Sequence, residues 1–304
     1  MTQLLNALPG ALAQGLIWCV MAIGVYITYK VLDIADLTVD GSICTGAAVC
    51  TMLLLGGQSP WLALLCAVLA GVLAGAVTGL LHVGLGIPPI LAGILTQMVL
   101  WSVNLKLLGK ANQALPARTT PVLLSQMDVG GALPVLLGFC VVLVALLVLF
   151  FGTELGCALR ATGCNPVMSR AQGVNTGLMK VVGLALSNGV VALSGALLCQ
   201  YQGYTDVNMG RGAVVIGLAA VVIGQAVLGR RGGRMAVQLG GVILGAVIYY
   251  IVYQVIIFAG FDTDLLKMFS AVVVAVFLGA PHVKAQLKAH SRSKKGDSGH
   301  AENE

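Results

Sequence analysis

The sequence predicts an all-α integral membrane protein with eight to ten transmembrane helices, and three observations carry that prediction. No Asp, Glu, Lys or Arg occurs between Gly41 and Leu105. Only 9% of the 304 residues are charged against 58% hydrophobic, with mean hydropathy +0.97, whereas an ordinary soluble domain is about 25% charged. The apolar stretches are rich in Leu, Ala, Val and Gly on all faces, without the alternation that marks the roughly ten-residue strands of a membrane barrel.

In chain order, the first span is Pro9 to Tyr29. No basic stretch precedes it and it runs on through Lys30, so it reads as a retained helix and not a cleaved leader. Thr38 to Leu55 is short for the ~20 residues a crossing helix needs; Asp40 is placed to cap a helix beginning at Gly41. Asp33 and Asp36, about one helical turn apart, read as a solvated or Lys30-paired face. Trp61 to Val83 and Pro88 to Leu105 follow, the former with Gly71, Gly75 and Gly79 at the spacing that lets helices approach closely. After a connector at Lys106 to Val129, with Pro116, Arg118 and Pro121, come Ala132 to Phe151 and then a polar insertion. The remaining spans are Leu178 to Cys199, the short Ala213 to Leu228, Met235 to Phe258 with Gly240, Gly241 and Gly245, and Leu265 to Ala280. The expected domain is residues 1–283. The tail, 284–304, mixes Lys, Ser, Gly, His and Glu and is expected to be disordered and cytoplasmic.

Orientation follows from Lys and Arg in the short loops. Nine crossings with an outer N-terminus place twelve of the 17 basic residues inside (Lys30, Arg160, Arg170, Lys180, Arg230, Arg231, Arg234, Lys284, Lys288, Arg292, Lys294 and Lys295). Lys106, Lys110, Arg118, Arg211 and Lys267 fall outside. The positive-inside bias and the tail account for the net charge of +6, so no nucleic-acid partner is needed.

The insertion, residues 153–180, then faces the cytoplasm. Within it Asn165 followed by Pro166 signals a helix start, because Asn caps free amides and Pro is tolerated at the first helical position. Gly173 can end that helix. The expected result is a short surface helix, Pro166 to Gln172, with Val167 and Ala171 sharing one face. The same residues would also serve as an ordinary connector.

Several chemistries lack their residues. The eight cysteines are scattered, with no C-x-x-C pair or Cys/His cluster, and read as small apolar residues and no metal site. Gly109-Lys110 is followed by Ala111, which rules out the G-x-x-x-x-G-K-S/T phosphate loop. His82 reads as a polar residue near a helix end. No catalytic residue, cofactor or metal is expected.

The run Gly156, Arg160-Ala161, Asn165-Pro166, Ala171 and Gly173-Val174-Asn175 resembles the cytoplasmic loop of ABC-importer permeases of the branched-chain amino acid and ribose type. Met21-Ala22-Ile23-Gly24 with Asp36-Leu37-Thr38-Val39-Asp40-Gly41 is similar to that family's first helix and following segment. Ser194-Gly195-Ala196, Gln200 to Gly203 and Gly217 to Gly229 are similar to its second half, so that the resemblance covers roughly Ala13 to Pro281. Two departures are visible: the additional N-terminal helix of sugar-type members and the Leu-Pro ending of the loop motif are missing. Lys30-Val31-Leu32-Asp33 leading into Leu37 to Gly41 most resembles the putative tryptophan/tyrosine permease subgroup.

The resemblance implies a type II ABC importer-like permease in a bacterial plasma (inner) membrane. It would work with separate ABC ATPase subunits, an extracytoplasmic substrate-binding lipoprotein and a second permease copy, embedded in membrane lipid. Arg160, Asn165, Pro166, Arg170, Ala171 and Gly173 would form the ATPase contact, and an amino acid, possible aromatic ones included, is the implied solute.

Ala22 to Gly41 and Asn188 to Gly212 share the order Gly-containing helix, acidic turn, new apolar run, as an inverted repeat would. In the nine-crossing topology the two turns fall on opposite membrane faces. Short Gly-interrupted segments point to a transport path, which places Asp40, Gly41, Asn208, Gly210 and Arg211 beside it. Tyr201, Tyr204 and Asp206, in the outer segment Gln200 to Asp206, are candidate outer-mouth residues. Two other readings remain open at this point: a permease for a sugar or other solute, and an ion-coupled secondary transporter. The scarcity of charged residues within the spans counts against the latter.

Overall fold

Proline and glycine set where most of the helices start and stop. In the computed structural model, which describes residues 2–116, 120, 122–228 and 235–258 and scattered positions between 268 and 279, the chain opens with α1 (Thr2–Tyr26). A π-helical turn at Ile27–Val31 prolongs α1, and Asp33, at a φ of 56°, turns the chain away. Next come α2 (Val39–Leu55), α3 (Pro60–Gly84) and α4 (Pro89–Leu108). Pro60 and Pro89 occupy first turns, where the missing N–H would have had no helical partner anyway. Gly109 ends α4 in the left-handed conformation, at a φ of 71°.

Helix α5 (Val129–Gly152) starts behind Asp128, whose Oδ1 accepts from the Gly131 N–H at 3.0 Å. Two short helices, α6 (Glu154–Cys164) and α7 (Pro166–Ala171), precede the long α8 (Thr176–Gln202), followed by α9 (Ala213–Leu228) and α10 (Met235–Phe258). The strands β1 (Asn112–Ala114) and β2 (Tyr204–Asp206) pair antiparallel with Gln113 opposite Thr205. Among the described residues six helices are long and apolar enough to cross a membrane, and α2 and α9 are shorter apolar helices. Most of the expected span Leu265 to Ala280, the tail, Arg118 and the Arg230–Arg234 cluster lie outside the described residues.

The bundle is organised around α1 and α8, whose apolar windows are 78% and 72% buried, against 39%, 28% and 22% for α3, α4 and α5. The outer faces of α3 and α5, with Leu69, Leu73, Leu146 and Leu149, are exposed. Lipid tails are as apolar as leucine, so helices in a bilayer associate through close packing and hydrogen bonds. This chain uses glycine for the packing. A methyl group at Gly75 of α3 would overlap the Leu184 carbonyl of α8, and one at Gly46 of α2 would overlap that of Ala192. Gly195 of α8 lies equally tight on Ile43, and Gly245 of α10 on Ala220 of α9. The stripe on α3, and Gly241 and Gly245 on α10, thus pack within the subunit, while Gly240 has nothing within 4 Å.

Candidate translocation path and surface helix pair

Helices α2 and α9 are short because they begin inside the bundle. The Ser42 hydroxyl donates to Oδ1 of Asn188 at 2.6 Å. Asn188 lies twelve residues into α8, which is about 18 Å along its axis and near the middle of a hydrocarbon core ~30 Å thick. From there α2 runs parallel to α8, Gly46 meeting Ala192 and the Cys50 thiol facing the Ala196 carbonyl. Helix α9 begins at similar depth and runs the opposite way: Gly217 packs on Met21 and Val25 of α1, and Gly224 on Gly241 of α10.

The two N-termini meet through Asp40. Its Oδ2 accepts from the Gly212 N–H and its Oδ1 from the Val214 N–H, both at 2.9 Å. A carboxylate at a helix N-terminus is favoured by the aligned amides, and here the helix is α9. Asp40 was expected to cap its own helix from Gly41. Helix α2 instead begins at Val39, and Asp40, already in its first turn, reaches across to the other half of the chain. The two connectors leave from opposite ends of α8, Leu32 lying on Gly183 towards its start and the other following Gly203 at its end, and this contact joins them in between. Both connectors turn back into the bundle, so Asp40, Gly41, Gly210 and Arg211 come together. The Gly210 N–H donates to the Cys44 sulfur at 3.1 Å, and a side chain at 210 would collide with the Asp40 carbonyl.

The outer-mouth candidates separate. Tyr201 is 2% exposed and packs in the core, so it is no docking residue; Tyr204 is exposed on β2. Asp206 folds back on the chain, its Oδ1 accepting from the Asn208 N–H at 2.6 Å. Asp33 and Asp36 also part. Asp33 is exposed, whereas Asp36 is buried, accepting from Asn188 Nδ2 at 2.7 Å and from the Thr38 N–H at 2.9 Å. The left-handed turn at Asp33 sends the two carboxylates in different directions, so they form no common face. Asn188 is thereby a node, holding Asp36 and Ser42 while its own Nδ2 also donates to the Leu184 carbonyl. Beside it Thr38, Thr78 and Thr96 join α2, α3 and α4 by hydroxyl contacts of 2.8 and 2.9 Å.

Between α2 and α4 lies a cavity of about 560 Å³, with Asp40, Gly41 and Arg211 at its wall beside Gln97, Trp101 and Asn104. A second, of about 580 Å³, lies on the far side of Arg211 and Gly212, against Trp18, Tyr250 and Tyr253. The sequence reading missed Gln97 and Asn104, which break an otherwise apolar span. It also missed Asn188, and its search for charge alone is the reason.

At the surface, Asn165 Oδ1 accepts from the N–H groups of Val167 and Met168 at 3.1 and 3.0 Å, and α7 spans Pro166–Ala171, with Gln172 as its C-cap. Gly173 closes the turn at a φ of 85°. Val167 and Met168 stand 77% and 59% exposed, and Ala171 is exposed with them. The Arg170 guanidinium is tied back, Nε donating to Thr176 Oγ1 at 2.7 Å, and Arg160 donates to the Cys157 sulfur at 3.2 Å. Helix α6 was not foreseen: Thr153 caps it by accepting from the Gly156 N–H, and it buries Leu159 and Thr162. Gly163, near its end, lies on the Val31 carbonyl with no room for a side chain.

Two short helices meeting nose to nose inside a bundle of long apolar helices, with a capped helix pair at one surface, define a multi-pass membrane protein. The comparisons are more specific. Residues 8–280 match the family described as branched-chain amino acid transport system / permease component, and the chain belongs to that family of ABC permeases, multi-pass proteins of the inner membrane. It is 37% identical to a tyrosine transport system permease protein of Clostridioides difficile over 93% of this chain and 94% of that one. An uncharacterized protein of Rickettsia prowazekii, RP368, is 33% identical over 91% and 98%. The autoinducer 2 import system permease LsrC of Escherichia coli is 29% identical over 75% of this chain and 66% of its own. No solved structure matches.

Proposed function

We propose that this chain forms the translocation path of an ATP-driven importer for an amino acid. It would act as a pair of copies, with two separate ATPase subunits and a substrate-binding lipoprotein on the opposite side. The observation that supports this most is the exposed apolar pair Val167 and Met168 on a helix pinned at both ends by Asn165 and Gly173. An unpinned loop would absorb a push; a capped helix passes it on. The similarity to a tyrosine transport system permease supports an amino acid as solute.

In this reading closure of the ATPases on bound ATP displaces α7. Two contacts carry the displacement inward: Arg170 to Thr176 at the start of α8, and Gly163 of α6 against Val31 at the end of the π-helical turn. Leu32 in turn packs on Gly183 of α8. The shift therefore reaches both α8 and the connector that carries Asp36, and through Asn188 the base of α2. Tilting α2 against α9 about the Asp40 contact would open the path to one side and then the other.

The test is mass spectrometry of complexes purified from the native membrane in mild detergent, as wild type and as Val167→Glu/Met168→Glu. The expected result is a P-loop ATPase that accompanies the wild type and is lost from a monodisperse variant. A folded wild-type sample without an ATPase would refute the importer reading.

A further inference from the structure

Among the described residues Arg211 is the only charged one that borders both cavities, and in the second, of about 580 Å³, it is the only charge. Its side chain is exposed and makes no hydrogen bond or ion pair among those residues. Asp40, the carboxylate that borders the first cavity, uses both oxygens on the Gly212 and Val214 amides. The charge of Arg211 is therefore offset from a distance on one side and left standing on the other.

Its position gives that charge a consequence. Arg211 lies two residues before α9, whose start is held inside the bundle by the Asp40 contact. Ionisable side chains within a membrane are costly and are ordinarily paired, so an unpaired one points to a task. The cavity beyond it has polar edges, with Gln14, Gln202, Tyr250 and Tyr253 around Trp18, and so offers water several partners. A wetted path across an energised membrane would let ions run down their gradients. Narrow pores turn protons and cations away with an Arg or with the positive ends of short helices. Here Asp40 already answers the α9 amides, so the guanidinium itself supplies the obstacle.

We propose that Arg211 is the cation barrier of the path: its charge keeps protons and metal ions out of the second cavity, while a solute without net positive charge passes. The proposal rests on the permease reading above and adds a function that concerns ions, not the choice of solute.

The experiment uses permease–ATPase complexes in nanodiscs carrying Val215→Cys, which puts a thiol on the wall of the second cavity. The thiol is labelled with an anionic (sulfonatoethyl) or a cationic (trimethylammonioethyl) methanethiosulfonate, and peptide mass spectrometry reads position 215 alone. With rates normalised to those of free cysteine, the anionic reagent is expected to be favoured about tenfold, as a local potential of a few kT would dictate. Arg211→Gln should abolish that preference and Arg211→Lys should keep it. No preference in Val215→Cys, or a preference that survives Arg211→Gln, overturns the proposal. The same Arg211 variants without the cysteine are then placed in liposomes, and proton entry under an imposed potential is followed with a trapped pH dye during ATP hydrolysis. Arg211→Gln is expected to raise proton entry about tenfold without raising chloride entry, while Arg211→Lys stays at the wild-type rate. A hydrolysing Arg211→Gln complex as tight as wild type, or one that admits chloride as readily as protons, also overturns the proposal. Failure of the wild-type chain to hold any ATPase would instead refute the permease reading, and the thiol rates, which need no ATPase, would still decide this one.

Discussion

Replacing Asn188 by Leu should destabilise the protein more than replacing Asp36 by Leu, and the two losses should not add. Asn188→Leu removes the donor to the Asp36 carboxylate at 2.7 Å and the acceptor for Ser42 at 2.6 Å, leaving a buried carboxylate with the Thr38 N–H. Hydrogen bonds to charged groups are worth about 1.5–3 kcal/mol in water-soluble proteins, and interhelical ones in membranes average about 0.6 and reach about 1.7 kcal/mol. Removing one charged and one neutral hydrogen bond together should therefore cost about 2–3 kcal/mol in Asn188→Leu. Asp36→Leu leaves an amide that still bonds to Ser42 and the Leu184 carbonyl, at about 1–2 kcal/mol. In the double variant the carboxylate is no longer stranded, so its cost should stay close to that of Asn188→Leu alone, with a coupling of about 1–2 kcal/mol. The assay is reversible unfolding by SDS titration in mixed micelles, followed by tryptophan fluorescence. Additivity within about 0.3–0.5 kcal/mol would refute the claim that these two side chains depend on each other.

Other outcomes follow from the same geometry. Gly245→Ala should lower the yield of folded protein because its methyl group meets the Ala220 carbonyl, whereas Gly240→Ala, with nothing within 4 Å, should leave the melting curve unchanged. Asn165→Ala removes the cap from α7 and should cost about 1 kcal/mol of local stability, read as faster amide exchange at Val167 and Met168; Asn165→Asp should restore slow exchange. Gly173→Ala forces a Cβ into the left-handed region, a penalty of about 1–2 kcal/mol, and should weaken ATPase co-purification more than Gly173→Asn, which tolerates that conformation.

Much of this architecture was legible because a bilayer restricts the choices. Hydropathy placed the long helices, and the boundaries at Pro60, Pro89 and Gly109 follow from chemistry that a single sequence displays. Asn165-Pro166 announced α7 for the same reason. What failed was depth. A helix that starts in mid-membrane and one that starts at the surface share the same composition, and only the short lengths of α2 and α9 hinted at the difference. Nothing local to Asp40 indicated that its partners would be the amides of Gly212 and Val214, more than 170 residues away. Asn104 and Asn188 were overlooked because an uncharged amide hardly lowers the hydropathy of an apolar window.

The pairing of β1 with β2 limits how the path can change shape. The chain between α8 and α9 is staked at one end to the ribbon, through Gln113 opposite Thr205 and a 2.6 Å bridge from Thr205 to Thr51 of α2, and at the other end to Asp40. Val207 adds a further tether to the Ala111 carbonyl at 3.0 Å. A segment clamped so often has no slack to spool out. Ribbon, connector and the facing part of α2 therefore form one packed unit, to which Leu108 at the end of α4 is joined through Ala48 and Val207.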